Sequence, residues 1–443
     1  MINSSSLLRV YSLENGPKRQ RIVGSETKPF ETVFDNSKEF ENLMLCLHLI
    51  ERYLPKETGL CFGTRWPGMW QEKKERIEQL FEFLTHRKLS IRFEEKSGEM
   101  SASQERIAEV NTERGREHIV CLFSGGLDSA AGALELVRKR IAPTLSHTAT
   151  GNIVMGKATE LVKNTVLKTL PMVVTDMRKG DVESSGFGSF NSRGLLFISN
   201  ALIIASCLRS SEVCIAENGP LMINPNVSLR SEPTKNAHPF LITVLEEVFN
   251  HVTGLRKRIN PIFKDETKAE IAAKVMNDQI IDKTWSCFNV QRQSKMCGAC
   301  FACAVRRLSL LAAGHQEPQD TYEFDPFGSE LPDNISSLGW KLDTLHDTFI
   351  YLKDFLDTKS LQRNEMFLVP EGFFANEREL LTRFSLDMFL GFKKHEELIG
   401  SANLGPLGRF VEKIAGGIPQ SEMNEREQRL VEISQRSADT LKE

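Results

Sequence analysis

Apolar runs of strand length recur through the middle of the chain at 119–123, 172–175, 213–216 and 258–263. Around them lie stretches whose apolar residues repeat at helical spacing, at 129–140, 157–170, 194–209, 239–251 and 267–277. Strand and helix in turn predict an α/β fold, a parallel sheet with helices on both faces. Ligands of such a sheet gather at the carboxyl ends of its strands, near the point where strand order reverses. Three segments fall at such ends: Ser124-Gly125-Gly126-Leu127-Asp128-Ser129, Asp176-Met177-Arg178-Lys179 and Glu217-Asn218-Gly219.

The flanks read differently. Residues 1–100 carry amphipathic runs at 40–53 and 73–86, with Ile77, Leu80, Phe81 and Leu84 on one helical face. They also hold the alternating Leu89-Ser90-Ile91-Arg92-Phe93, so an N-terminal α+β accessory domain is expected. Polar residues at 101–117 suggest a linker, and 118–316 the α/β domain itself. Over 317–443, Leu345, Phe349, Leu352, Phe355 and Leu356 at helical spacing predict a mostly helical extension.

The loop at 124–129 carries the most chemistry. A strand feeding a glycine-rich turn at a helix start presents free N–H groups and the positive end of the helix dipole. Ser124 and Ser129 add hydroxyl donors, and Gly125 and Gly126 let an oxyanion approach the backbone. The pattern fits neither G-x-x-x-x-G-K-[ST] nor G-x-G-x-x-G. A phosphate cradle is the functional reading; an ordinary strand–helix turn is the plain one. As part of that turn, Asp128 is expected at the surface, where its loss would spare the fold.

Composition narrows the class. The 443 residues are 40% hydrophobic and 26% charged, ordinary for a globular protein, and can form more than one domain. A net charge of −3 gives no global attraction to nucleic acid. No signal peptide is evident at the N-terminus, and the apolar stretch at 195–208 is broken by Ser199 and Asn200 and too short for a bilayer. A cytoplasmic enzyme is the expectation. Of nine cysteines, Cys46, Cys61, Cys121, Cys207 and Cys214 are scattered, while Cys287, Cys297, Cys300 and Cys303 share one segment. Four thiolates at that spacing suit a closed, structural Zn²⁺ site. An iron–sulfur cluster or a redox-active loop remains open.

The Ser-Gly-Gly-x-Asp-Ser run is similar to the pyrophosphatase-type loop of the adenine-nucleotide α hydrolase superfamily, whose enzymes cleave ATP between the α and β phosphates. Further matching stretches are Ser192-Arg193-Gly194-Leu195-Leu196-Phe197, Pro261-Ile262, Thr267-Lys268-Ala269-Glu270-Ile271, Thr284-Trp285-Ser286-Cys287 and Cys297-Gly298-Ala299-Cys300. With the loop, they give residues 118–314 a resemblance to the 7-cyano-7-deazaguanine synthase (QueC) family. That resemblance implies a Rossmann-like α/β fold and ATP-dependent adenylation of a 7-deazaguanine carboxylate, which an amine then attacks. Residues 124–129 would hold the pyrophosphate, with Asp128 a candidate for Mg²⁺. Asp128, Arg193 and Lys268 would be the catalytic groups, the two cations offsetting phosphate charge.

Two loops depart from the family pattern. The second strand ends in Ser146-His147-Thr148-Ala149, and the next substrate loop reads Glu217-Asn218-Gly219-Pro220, followed later by Asn236-Ala237-His238-Pro239. His147, Glu217, Asn218, Gly219 and His238 are thus substrate candidates, though each histidine fits a structural role as well. The long form with altered loops resembles QueC-like proteins of bacterial antiphage defence operons of the Qat type. That likeness implies ATP, a deazaguanine-type small molecule and protein partners from the same operon, with neither membrane nor nucleic acid indicated. The alternatives are tRNA sulfur transfer or another adenylating ligation on the same fold, and a non-catalytic nucleotide-binding subunit.

Overall fold

Strand β6 (Ile119–Leu122) is the pivot of the molecule because its two faces are both buried. Ile119, Cys121 and Phe123 enter one apolar cluster, and Val120 enters another on the opposite side. That is the period-2 signature of a central strand covered on both faces. The computed structural model describes residues 6–10, 18–23, 26–29, 35–53, 58–96, 119–149, 153–176, 191–223, 235–287, 295–329, 339–361 and 368–440. The expected linker at 101–117, and Met177, Arg178 and Lys179, lie outside them.

In the N-terminal region the described elements are β1 (Ser6–Val10), β2 (Lys18–Val23), β3 (Glu26–Pro29), α1 (Asp35–Tyr53), β4 (Thr58–Thr64), α2 (Pro67–Gln71), α3 (Lys74–Thr85) and β5 (Leu89–Glu95). The α/β region after β6 runs through α4 (Leu127–Arg138), β7 (Thr144–Ala149), α5 (Ile153–Thr165), β8 (Met172–Asp176), α6 (Arg193–Cys207) and β9 (Glu212–Ile215). It continues with α7 (Gly219–Ile223), α8 (Pro239–Thr253), β10 (Arg258–Pro261), α9 (Lys268–Val275), α10 (Asp278–Ile281) and α11 (Phe301–Ala312). Among the described residues, four α-helices follow: α12 (Gly339–Thr358), α13 (Glu377–Ile399), α14 (Pro406–Ala415) and α15 (Gln420–Thr440).

The large sheet has the order β10-β9-β6-β7-β8-β2-β3. Its first five strands are parallel, and β2 pairs antiparallel with β8, Gln20 opposite Val174. From β6 the chain moves outward through β7 and β8, then returns to place β9 on the other side of β6. The reversal therefore falls beside β6, and the 124–129 loop leaves the sheet at that point. The fold class read from the sequence, a parallel sheet with helices on both faces, is what the chain adopts. Helices α4 and α5 cover one face through Ala130, Ala133, Leu136 and Val162. On the other, α6 and α8 bury Ile198, Leu202, Leu241 and Leu245.

The first hundred residues divide between two sheets. β1, β4 and β5 form a separate parallel three-stranded sheet, while β2 and β3 extend the large one. Phe40, Leu43 and Leu47 of α1 share a single core with α6 and α8, and Phe40 meets Phe249 edge-on at 4.9 Å. At the other end, Phe384, Met388 and Phe392 of α13 pack against Val305 and Leu308 of α11 and Phe349 and Leu352 of α12. Among the described residues, no helix is long and apolar enough to cross a membrane.

Candidate functional site

The turn after β6 is held from three sides. Ser129 Oγ accepts from Ser124 N at 3.2 Å and donates to Gly126 O at 3.0 Å, while Ser124 Oγ accepts from Gly126 N at 3.3 Å. Thr159 Oγ1 donates to Ser124 O at 2.9 Å, and Trp285 N donates to Gly125 O at 3.2 Å. Gly125 has φ +77°, and a Cβ there would lie 2.6 Å from Thr159 N, so only glycine fits. Gly126 is the extended N-cap of α4, and Ser124 is exposed beside it. The turn is thus fixed in place, with a hydroxyl and the start of α4 at the carboxyl edge of the sheet. A strand–helix turn of this kind can accept an anion.

Asp128 differs from expectation: it is 9% exposed rather than part of a surface turn. The reason is its partners. Lys268 Nζ, on the first residue of α9, donates to Asp128 Oδ1 at 2.6 Å, and Asn218 Nδ2 donates to Oδ2 at 2.9 Å. Asn218 Nδ2 also reaches Glu217 Oε1 at 3.1 Å, and Asn218 Oδ1 accepts from Leu221 N at 3.2 Å. One asparagine therefore bridges both carboxyls while anchoring α7. Removal from solvent and the neighbouring Asp128 charge push the Glu217 carboxyl up to about 8, against the opposing pull of Lys268. Glu217 is thereby held toward its protonated form, next to an Asp128 that is paired with Lys268. Gly219 completes the group, its N–H shared between Phe263 O and Glu266 O at 3.1 Å each.

Lys268 owes its place to a well-made helix start. Thr267 Oγ1 accepts from Glu270 N at 3.2 Å, and the Glu270 carboxylate accepts from Thr267 N at 2.8 Å. This reciprocal capping box fixes the first turn of α9.

Arg193 opens α6 and is half-buried. Since α6 runs back between β8 and β9, its start lies at the same sheet edge as the loop. The N–H groups there are already engaged. Glu51 of α1 accepts from Asn191 N at 3.3 Å and Ser192 N at 3.0 Å, and Asn236 Oδ1 accepts from Gly194 N at 3.1 Å. His48 Nδ1 sits 2.7 Å from Ser192 Oγ. The sequence offers no signal for this cap, because Glu51 and Ser192 are far apart in the chain and each looks like an ordinary helix residue.

The two histidines fare differently. His147, on β7, places Nδ1 3.0 Å from Phe123 O, directly before the loop. His238 is buried and is the N-cap of α8: its Nδ1 accepts from Phe240 N at 3.1 Å, and its ring lies 4.6 Å from that of Phe83. Burial and the nearby Lys235 hold its pKa down at about 3. It is a neutral imidazole acting as a helix cap.

The four clustered cysteines converge. Cys287, Cys297, Cys300 and Cys303 are all buried, and their sulfurs lie within 4.8 Å of one another. Cys300 and Cys303 sulfurs are 3.3 Å apart, and Cys297 and Cys303 4.0 Å. Tetrahedral thiolate ligands at Zn–S distances of ~2.3 Å would lie about 3.8 Å apart. The donor set thus fits a metal such as zinc, with no side left for a substrate. Gly298 has φ +77°, and a Cβ would sit 1.8 Å from Phe324 O, which explains glycine inside the Cys-x-x-Cys turn. Arg306, fully buried one turn after Cys303, donates to Thr284 Oγ1 at 2.8 Å and Ile281 O at 2.8 Å and pairs with Glu317 at 2.9 Å. It fixes the segment that carries both Cys287 and Trp285, so the cysteine centre and the 124–129 loop share one wall.

Fold and site together define a Rossmann-type α/β protein with a glycine-rich strand–helix turn at the sheet reversal and four clustered cysteines behind it. Residues 235–314, which include Lys268 and all four cysteines, match the family model for the queuosine biosynthesis protein QueC. The 7-cyano-7-deazaguanine synthase 1 of Sphingopyxis alaskensis is 24% identical over 224 residues, 45% of this chain and 96% of that protein. The chain is thus QueC-like, with long flanking regions of its own.

Proposed function

We propose that the protein is an ATP-dependent C–N ligase of the QueC type, activating a 7-deazaguanine-type carboxylate for attack by an amine. One observation carries this reading: Asp128, Asn218, Glu217 and Lys268 converge beside a Ser-Gly-Gly-x-Asp-Ser turn. Support also comes from the relative matched along 96% of its length. Residues 124–129 would hold the pyrophosphate, and Asp128 would offer its carboxylate to the Mg²⁺ that accompanies ATP. The substrate carboxylate attacks the α phosphorus, pyrophosphate leaves, and Lys268 and Arg193 offset the charge that builds on the phosphates. The amine then attacks the acyl carbon and AMP departs. Glu217, Asn218, Gly219 and His147 line the acceptor side. Cys287, Cys297, Cys300 and Cys303 hold a structural Zn²⁺, whose contribution is to rigidity.

The finer reading is a role in antiphage defence of the Qat type, in which the acceptor amine is ammonia or a protein from the same operon. What favours it is the altered Glu217–Gly219 loop together with the flanking regions beyond the QueC-like part. Incubation with ATP and 7-carboxy-7-deazaguanine, with and without proteins of neighbouring genes, is the test. AMP and a mass-shifted product are expected, and Asp128→Asn should reduce AMP release by about 100-fold or more. Absence of AMP under every condition would refute the enzyme reading, and a nitrile product would refute the defence one.

A further inference from the structure

Lys268 sits on a helix whose first turn is gripped from outside the QueC-like part of the chain. Arg426, on α15, donates Nε to Asp387 Oδ1 at 2.7 Å and Nη2 to Asp387 Oδ2 at 2.9 Å, a two-point grip on a carboxylate of α13. The same guanidinium reaches Glu270 Oε1 at 2.8 Å and Thr267 Oγ1 at 3.2 Å. Thr267 Oγ1 in turn donates to Asp387 Oδ2 at 2.5 Å. Arg383 of α13 adds a contact to Glu270 at 2.5 Å and one to Asp265 O at 3.0 Å, on the loop entering α9. Thr267, Glu270, Asp387 and Arg426 are each at most 5% exposed. Burial would raise the Glu270 carboxyl, but Arg426 and Arg383 outweigh it and hold it below the usual range.

Both halves of the α9 capping box are therefore bound twice, once by each other and once by α13 and α15. Thr267 and Glu270 flank Lys268 and lie inside the matched segment 235–314, whereas Arg383, Asp387 and Arg426 lie beyond it. A buried ionic network is a poor source of net stability, since desolvation offsets its attraction. It is a good source of geometry, because each fork fixes direction as well as distance.

We propose that Arg426, through Asp387 and Glu270, is a positioning residue: the C-terminal helices hold the first turn of α9 so that the Lys268 ammonium stays on Asp128. The network sets one end of α9, and the 2.6 Å contact at Asp128 is its output. The inference gives the C-terminal extension a task at the site proposed above, and rests on that reading only for its consequence in turnover.

The test uses the full chain and an amine-acylating reagent, with labelling of each lysine read by peptide mass spectrometry. Lys268 and Lys163 are both buried, 6% and 2% exposed, and Lys163 lies on α5, away from the network. In Arg426→Met, Lys268 should label about tenfold faster while Lys163 stays at its wild-type rate, the mark of a local opening. Arg426→Lys should recover part of the protection, and Asp387→Asn, a shape-preserving change, should give a smaller rise in the same direction. Equal acceleration at both lysines, or none at Lys268, would overturn the proposal. If AMP is formed, kcat should fall in Arg426→Met with KM for ATP little changed, and a rise in KM alone would count against positioning. The labelling result needs no turnover, so it stands or falls separately from the enzymatic reading.

Discussion

His238 illustrates how a single residue's chemistry is decided by where its backbone stands. It precedes Pro239, and a proline at the first helical position leaves the next N–H for a cap to accept. Nδ1 takes that role from Phe240 N, while Phe83 and the surrounding core exclude water. Folding therefore lowers its pKa from 6.5 to about 3, with Lys235 the nearby charge that reinforces burial. The neutral form is the native one, so its contribution is complete above pH 6.5 and is lost as pH falls toward about 3. Asparagine caps equally well without titrating. His238→Asn should match wild type in denaturant unfolding at pH 8 and exceed it by roughly 2 kcal/mol at pH 4.5. Wild-type-like loss of stability in acid by the variant would show that His238 is not the group titrating. The loop residues were legible at this scale because Ser, Gly and Asp types carry their own turn chemistry. The partners Asn218–Asp128 and Glu51–Ser192 were not, since nothing local marks side chains that meet across ninety or more positions.

Among elements, periodicity located the four expected strands and five helices of the α/β region within a few residues. β7 was the exception: four of the six residues in Thr-Leu-Ser-His-Thr-Ala are polar, and its place in the sheet rests on pairing with β6 and β8. Likewise β2 and β3 join the large sheet by antiparallel pairing with β8, which no pattern within the first hundred residues discloses. The element most exposed to experiment is the turn carrying Cys287. Trp285 lies two residues before that sulfur, donates Nε1 to Cys287 O at 2.9 Å, and gives its N–H to Gly125 O. Holding the four sulfurs together should therefore hold the back of the 124–129 loop. Metal analysis of the purified chain should find about one Zn²⁺ per molecule and a colourless protein. Chelation, or Cys300→Ser, should speed amide hydrogen exchange at Trp285 and Gly126 by about tenfold before global unfolding, because binding energy at such sites is folding energy. Exchange that changes only with global unfolding would separate the cysteine centre from the loop.

At the scale of the whole molecule, the question is whether the QueC-like part can stand without its additions. The relative from Sphingopyxis alaskensis is matched over nearly its entire length by 224 residues. In this chain, however, α11 turns Val305, Leu308 and Ala312 into a cluster completed by Phe384, Met388 and Phe392 of α13. Glu270 and Thr267 lose Arg383, Arg426 and Asp387 if α13 and α15 are removed. Each large apolar side chain returned to water costs about 1.5–3 kcal/mol, and a buried carboxylate stripped of its cations costs a further ~3–5 kcal/mol. A domain's net stability is only about 5–15 kcal/mol, so these losses together are of the same size as the whole of it. The fragment 1–316 should accordingly fail to give a cooperative thermal transition and should aggregate, although every residue proposed to touch ATP is present. Co-expressing 317–443 as a separate chain should restore a soluble complex, because the apolar contacts between α11 and α13 are side-chain packing that needs no covalent link. A soluble, cooperatively folding 1–316 would mean that the helices are an appendage, and with them the grip on Lys268 would lose its physical basis.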